Sequence, residues 1–282
     1  EYAKASLTKS TDTKTDWYLP YTDINRYTVS LNCPEETFGI GGTIDFVPAG
    51  KQDSNYSSKV NSFDWVAFYE RLQGGAFLNI VKDQVKKEYD YILIDSRTGI
   101  SDTSGICTIQ MPDTLIACFT YNVQNIDGVE AIIDSVVRAR KNAPISVFIV
   151  PTRVEKGEKD RVELARQYAK RKLGRFIRVE GIEKYWGNVE ITYEPYYAYE
   201  EIISIFGDKT YQPNTMTAVM ERIAKYITRD DIKGLVPPDK EYKNVILDQY
   251  LSKYQSMIKE KRLPLITEYS GEISKKDCFI SY

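Results

Sequence analysis

The run YDYILID at residues 89–95 decides the predicted fold. A continuous apolar run of this kind, with few polar interruptions, is typical of a strand covered on both faces in a parallel sheet. The runs DTLIACFT (113–120) and PISVFIVP (144–151) have the same character. A helix is predicted between them over about 126–141, because apolar residues recur there at helical spacing. A strand, a helix and a strand in this order favour a right-handed crossover and a parallel sheet.

The rest of the chain extends this pattern. The first forty residues are expected to be irregular, and residues 51–61 are expected to form a surface loop. Two more strands are predicted, at 43–50 and 189–195. Further helices are predicted near 63–72, 76–87, 157–173, 198–206, 214–228 and 241–261. The expected fold class is α/β, with a mostly parallel sheet, helices on both of its faces, and more helices towards the C-terminus.

The composition removes several classes of chemistry. The chain of 282 residues contains no histidine, which excludes a Ser-His-Asp triad and a histidine-containing zinc site. Its 38 basic and 40 acidic residues give no overall field to hold a nucleic acid or an anionic membrane, so neither is an expected partner. Four scattered cysteines without a CxxC pair indicate reduced thiols and a cytoplasmic location.

The predicted functional site lies beyond the carboxyl ends of the strands, where open parallel sheets bind ligands. The first of these runs ends at Asp95, and the loop SRTGISDTSG (96–105) follows. A carboxylate before a loop of glycine and small hydroxylated residues suits Mg²⁺ close to phosphates, with backbone N–H groups facing anionic oxygens. Alternatively, Asp95 caps a following helix and the glycines form a turn. The residues alone favour neither interpretation.

Several long strings resemble a known family. YDYILIDSRTG (89–99) resembles the Walker-B and switch II segment of the ParA/MinD-like P-loop ATPases. The segments 46–78, 89–120 and 185–201 resemble, more narrowly, a subfamily with a deviant phosphate-binding loop of the KGGVGRT type. The resemblance covers most of residues 43–228. It implies a P-loop NTPase fold of the SIMIBI kind, with ATP and Mg²⁺ as cofactors.

The resemblance also implies roles for the positions that match. Asp95 and Gly99 would be the catalytic residues, with Asp95 binding Mg²⁺ through water and Gly99 close to the γ-phosphate as the switch II glycine. The remaining matches would contact or order the nucleotide: Ser96, Thr98, Asn122, Gln124, Arg153, Pro195 and Tyr196. Arg153 would meet the base, and Pro195 and Tyr196 would line its other side. A local structural role is the alternative at each of these positions.

The phosphate-binding loop itself is missing from the sequence. The pattern G-x-x-x-x-G-K-[ST] fails at Gly50-Lys51, because Asp45 stands at the first glycine position and Gln52 follows the lysine. We expect the loop to lie upstream of residue 1 in a longer molecule. The alternative is a remnant that does not bind nucleotide.

The C-terminal KKDCFISY (275–282) resembles the opening strand of a TIR domain, from Asp277 to Tyr282. The predicted organisation is an ATPase core over 1–230, a helical connector over 231–270 and the start of a TIR domain over 271–282. The resemblances imply a homodimer or larger assembly that switches with ATP, controls a TIR effector with possible NAD hydrolase activity, and acts in bacterial antiviral defence. The alternatives are a catalytically inactive scaffold for oligomerisation or sensing, and a partition or positioning ATPase.

Overall fold

A computed structural model describes most of the chain between residues 17 and 259. The described ranges are 17–31, 42–51, 53–96, 105–155, 157–179, 181–209 and 212–259, with 251–259 described by backbone alone. The predicted start of a TIR domain at 271–282, together with Thr98 and Gly99, lies outside them. The contacts divide the chain into two units, Glu1–Tyr193 with Ala218–Val236, and Glu194–Thr217 with Pro237–Tyr282.

The described residues form an α/β structure with two small sheets. The strands are β1 (Val29–Leu31), β2 (Ile44–Phe46), β3 (Thr114–Phe119) and β4 (Ser146–Pro151). The helices are α1 (Tyr56–Asn61), α2 (Trp65–Glu70), α3 (Gly74–Glu88), α4 (Val123–Ala139), α5 (Lys159–Leu173), α6 (Ile182–Val189), α7 (Pro195–Glu200), α8 (Ser204–Gly207), α9 (Met216–Ile227) and α10 (Lys240–Lys259). β1 pairs antiparallel with β2, and β3 pairs parallel with β4.

The β3–α4–β4 crossover confirms the central prediction from the sequence. Ala117 of β3 lies opposite Ile149 of β4, and the parallel register runs from Thr114 and Ser146 to Phe119 and Pro151. All residues of β4 from 147 to 151 are buried, so both faces of this strand are covered. A buried parallel strand of this kind is what its uninterrupted apolar run predicts.

The core lies around β4. Around the strand, the largest fully buried side chains come from α4, α5 and α6: Ile126, Ile133, Val136, Leu173, Tyr185, Trp186 and Val189. Val219 and Ile223 of α9 belong to the same cluster. Leu173 and Ala169 show how α5 contributes one stripe, because they are one helical turn apart and fully buried.

The predicted strand at 189–195 is reduced to a single parallel bridge, which joins Val154 to Thr192. Alongside β4, the hydroxyl of Tyr185 accepts a hydrogen bond from the N–H of Ile149 (2.9 Å) and donates one to its carbonyl oxygen (3.0 Å). A neighbouring strand would need those two backbone groups. Helix α6 therefore occupies the edge of β4, and the chain rejoins the sheet only where Ile191 donates to the carbonyl of Pro151 (2.9 Å).

The predicted strand at 89–95 is wrong for the described structure. No strand is assigned to residues 91–96, and the exposed fractions of Tyr91, Ile92, Leu93 and Ile94 are 50%, 42%, 90% and 39%. An apolar run becomes a strand only where neighbouring strands complete its backbone hydrogen bonds and other elements cover its faces. Within the described ranges no strand pairs with this run.

Two smaller expectations in the N-terminal third are also corrected. The predicted loop at 51–61 contains α1. The helix expected after Ser62 begins instead at Trp65, because the carboxylate of Asp64 accepts a hydrogen bond from the N–H of Ala67 (2.8 Å) and caps it. The helix predicted at 76–87 is confirmed as α3, whose Lys82 and Lys86 both pair with Asp113 at the entry to β3.

The second unit contains α7, α8 and α10. The single helix predicted at 198–206 is instead two short helices, α7 and α8, separated by residues 201–203, whereas the helix predicted at 241–261 corresponds to α10. Within it the carboxylate of Asp208 accepts hydrogen bonds from the hydroxyl of Tyr197 and from the N–H of Thr217. Phe206 and Tyr242 meet edge to face, with ring centroids 5.9 Å apart. Within the unit, the Asp208 bonds join the end of α8 to α7 and to Thr217, and the ring contact joins α8 to α10.

The variant Tyr185→Phe tests whether the Tyr185 hydroxyl satisfies the backbone N–H and C=O of Ile149 at the edge of β4. The substitution leaves the buried N–H and C=O of Ile149 without their partner, so we expect the free energy of unfolding to fall by about 2 kcal/mol. Urea denaturation followed by circular dichroism measures the change. Tyr196→Phe, at an exposed ring, is the matched control and should change the value by less than about 0.5 kcal/mol. Equal stabilities for the two variants would contradict the role of Tyr185.

The same hydroxyl gives a pH dependence of stability. Burial raises the pKa of Tyr185 from 10.0 to about 12. Since the folded state holds the proton more tightly than the unfolded state, this contribution is complete below pH 10 and is lost as the pH rises through about 12. We expect the wild type to lose stability faster than Tyr185→Phe across that window in urea titrations. Parallel pH profiles for the two proteins would show that Tyr185 does not supply the dependence.

Candidate functional site

The candidate site is the edge of the sheet where β3 and β4 end. The N–H of Thr152 donates to the carbonyl of Phe119 (2.7 Å), so the two strands stop side by side. The segment 120–125 leaves β3 at this edge, and Arg153 follows β4. The polar residues predicted after these two strands are therefore brought to the same edge of one sheet, as the crossover requires.

Asn122 has a structural role at the start of α4. Its side-chain oxygen accepts a hydrogen bond from the N–H of Asn125 (2.8 Å), and its side-chain nitrogen donates to the hydroxyl of Thr120 (2.9 Å). It is the N-cap of the helix, which satisfies one of the free N–H groups of the first turn. Gln124, also in that turn, is exposed, and its side chain makes no hydrogen bond to another described residue. Gln124 is thus the better placed of the two to contact a ligand.

Arg153 takes up a conformation that is unusual for a residue with a side chain. Its φ is 53°, in the left-handed region. Its guanidinium carbon lies 5.0 Å from the centre of the Tyr193 ring, a cation–π contact. Arg153 is exposed and makes no ion pair with another described residue. The cation is therefore held against a flat aromatic surface at the edge of the sheet and remains accessible to an anion or to a planar base.

Asp95 is not brought to this edge by a strand. It is exposed and follows the exposed run 91–94. Burial raises the pKa of the Cys107 thiol, and the negative charge of Asp95 raises it further. Ser96 follows it and is half-buried. Among the described residues, Asp95 therefore does not stand at the end of a paired strand.

The residues predicted to line the base on its second side lie in the other unit. Pro195 is the first residue of α7, where its fixed φ and missing N–H fit the start of a helix. Tyr196 is exposed by 46% and packs edge to face on Tyr197, with ring centroids 5.2 Å apart. Both residues therefore have a local role in α7.

A partly buried polar network that the sequence did not indicate stands beside the edge. The carboxylate of Glu190 accepts hydrogen bonds from Arg166 at 2.6 and 2.8 Å and from the hydroxyl of Tyr121 at 2.6 Å. Arg166 also pairs with Glu163. The hydrogen bond to Glu190 raises the pKa of Arg166, and burial, followed by that carboxylate, raises the pKa of Tyr121. The network therefore joins Arg166 of α5 and Tyr121, two residues after β3, to Glu190, the residue that follows α6.

A cavity of about 470 Å³ opens beside this network. It is lined by four carboxylates and two cations, together with three uncharged residues. The charged lining residues are Glu155, Lys159, Asp160, Glu163, Arg166 and Glu190. Because Arg166 is already bound to two carboxylates, the balance of charge disfavours a phosphate in this cavity.

The fit of the predicted cofactors can be judged from this geometry. The described residues contain no group of three or more acidic or cysteine side chains that could hold a metal ion. Asp95, the residue predicted to bind Mg²⁺ through water, is exposed, and no described strand pairs with the run before it. For the nucleotide, Gln124 and Arg153 offer an amide and a cation at the strand ends.

Comparison with family models, with curated proteins and with solved structures finds no match to this chain. The ParA/MinD-like and TIR resemblances therefore stay predictions. Among the helices that the structure describes, none is long and apolar enough to cross a membrane.

Glu190→Gln tests the network. The substitution removes the charge that partners the partly buried Arg166, so we expect the free energy of unfolding to fall by about 2 kcal/mol. Chemical denaturation measures the loss. Glu183→Gln is the matched control, because the Glu183 side chain is 80% exposed and Lys170 is its one ion-pair partner among the described residues. This substitution should cost less than about 0.5 kcal/mol. A stability change no larger than that of the control would contradict the structural role of Glu190.

Proposed function

We propose that this chain belongs to a ParA/MinD-like ATPase with a P-loop NTPase fold, which binds and hydrolyses ATP with Mg²⁺. In this proposal the nucleotide state drives self-association and controls a C-terminal TIR effector, a candidate NAD hydrolase, in bacterial antiviral defence. The support is of two kinds, the long strings over 43–228 and the geometry at the end of the sheet. A nucleotide switch also agrees with the absence of histidine, because phosphoryl transfer depends mainly on positioning and charge neutralisation.

The observation that carries the proposal is the common edge formed by β3 and β4. Open parallel sheets bind nucleotides at the carboxyl ends of their strands. Here that edge offers Gln124 in the first turn of α4 and Arg153 stacked on Tyr193. Arg153 would contact the base or a phosphate, and the N-terminal turn of α4 favours negative charge. Asn122 would order this turn through its cap.

A catalytically inactive scaffold is the second candidate. It is favoured by Asp95, which is exposed and follows a run that no described strand pairs with. In this version the ATPase-like core serves oligomerisation or sensing without turnover. The two candidates differ in a measurable property, the dependence of nucleotide binding on Mg²⁺ and on Asp95.

The discriminating experiment measures Mg²⁺-dependent ATP binding and hydrolysis in the full-length protein with Asp95→Asn and Asp90→Asn side by side. The two aspartates flank the same exposed run, so they are matched in position and charge. If Asp95 binds Mg²⁺, its variant should lose at least about tenfold in hydrolysis, and Asp90→Asn should retain the wild-type rate. Isothermal titration calorimetry and phosphate release are the measurements.

Two results would count against the ATPase. Equal rates for Asp95→Asn and the wild type would remove the assigned role of Asp95. No ATP binding by the wild type, with self-association preserved, would favour the scaffold.

A further inference from the structure

Two segments flank the candidate site, and one side chain from each meets the other in a hydrogen bond. The first segment, residues 120–122, leaves β3 and leads to the cap of α4. The second, residues 190–193, follows α6 and ends at the ring that lies beside Arg153. The hydroxyl of Tyr121 in the first segment donates to the carboxylate of Glu190 in the second, at 2.6 Å. This bond is a direct link between the two flanks of the site.

The first segment fixes the position of the Tyr121 ring. The N–H of Asn122 donates to the carbonyl of Thr120 (2.7 Å), and the Asn122 side chain donates to the Thr120 hydroxyl (2.9 Å) while it caps α4. The Tyr121 ring packs edge to face on Phe119, the last residue of β3, with ring centroids 5.6 Å apart. Burial, followed by the bond to Glu190, raises the pKa of Tyr121, so its hydroxyl keeps the proton that it donates.

The second segment connects Glu190 to Arg153 through the backbone. Ile191, the residue after Glu190, accepts a hydrogen bond from the N–H of Val154 (3.0 Å). The N–H of Tyr193 then donates to the carbonyl of Val154 (3.0 Å), so both backbone groups of Val154 are bound to this segment. The Tyr193 ring lies 5.0 Å from the guanidinium carbon of Arg153. A displacement of Glu190 is therefore transmitted to the ring against which the cation rests.

Glu190 has a second partner, which holds it in a different direction. Arg166 binds the Glu190 carboxylate twice, at 2.6 and 2.8 Å, and ties it to α5. The Glu190 side chain is only 14% exposed, so water does not simply replace a partner that is lost. Removing the Tyr121 hydroxyl therefore leaves the Glu190 charge paired and the fold intact, but it releases Glu190 from the flank that follows β3.

We infer that Tyr121 is a positioning residue of the proposed nucleotide site, which acts through Glu190 to hold the Tyr193 ring against Arg153 and so raises the affinity for the nucleotide. The inference rests on the proposed function, because it takes Arg153 as a residue that contacts the nucleotide. Tyr121 acts through a residue assigned to binding. Its removal therefore raises KM and leaves kcat at saturating ATP unchanged.

The test compares Tyr121→Phe with Tyr168→Phe in the full-length protein. Each substitution removes one partly buried hydrogen bond from a phenol to a carboxylate, Glu190 for Tyr121 (2.6 Å) and Asp127 for Tyr168 (2.8 Å). Tyr168 is the matched control, because its bond joins α5 to α4 and involves neither flank of the site. We expect Tyr121→Phe to raise the Kd for ATP with Mg²⁺, measured by isothermal titration calorimetry, by about fivefold, the equivalent of one ordinary hydrogen bond. Tyr168→Phe should bind ATP as the wild type does.

A second measurement needs no nucleotide. Hydrogen exchange at the N–H groups of Val154 and Tyr193 should be about fivefold faster in Tyr121→Phe than in the wild type, and unchanged in Tyr168→Phe. Unchanged exchange in Tyr121→Phe, or an equal loss of ATP affinity in both variants, overturns the inference. ATP binding by the wild type with the same Kd in Tyr121→Phe overturns the inference alone and leaves the proposed ATPase standing. Failure of the wild type to bind ATP overturns the proposed function, and the inference with it.

Discussion

The hydroxyl of Tyr185 is the contact on which the described sheet depends. β4 is buried on both faces, so its outer edge cannot rely on water to satisfy its backbone. One phenol meets both the N–H and the C=O of Ile149, and a helix can therefore stand where a strand would otherwise be required. The sheet is short as a consequence, because the next segment reaches β4 only at its last residue, where Ile191 donates to the carbonyl of Pro151.

This edge contact also determines what the candidate site contains. Because α6 lies along the edge of β4, the chain that follows α6 meets only the last residue of β4 and the segment after it. There a parallel bridge joins Thr192 to Val154, the residue after Arg153. Tyr193 then lies under the Arg153 guanidinium. Glu190, in the same returning segment, binds Arg166 and Tyr121 and fixes the helix and the loop on either side. The position of the accessible cation is thus a consequence of how the sheet ends.

The sequence predicts some of these features and not others, for physical reasons. The strands at 113–120 and 144–151 and the helix between them were predictable, because they are close in the sequence and satisfy one another. The strands pair with each other, and the helix covers them. The run at 89–95 has the same residue types, but side-chain type does not supply partner strands, and the described chain offers none. The bonds from Glu190 to Arg166 and Tyr121 join residues 24 and 69 positions apart, so no local spacing indicates them.

The sheet positions two of the predicted site residues differently. A carboxylate at a strand end is oriented by the strand, and 91–94 is not paired with any described strand. Arg153, in contrast, stands next to the bridge that joins Val154 to Thr192, and the Tyr193 ring lies against its guanidinium. Within the described residues the sheet therefore orients Arg153 but not Asp95, because only the run before Arg153 has a partner strand to complete its backbone hydrogen bonds.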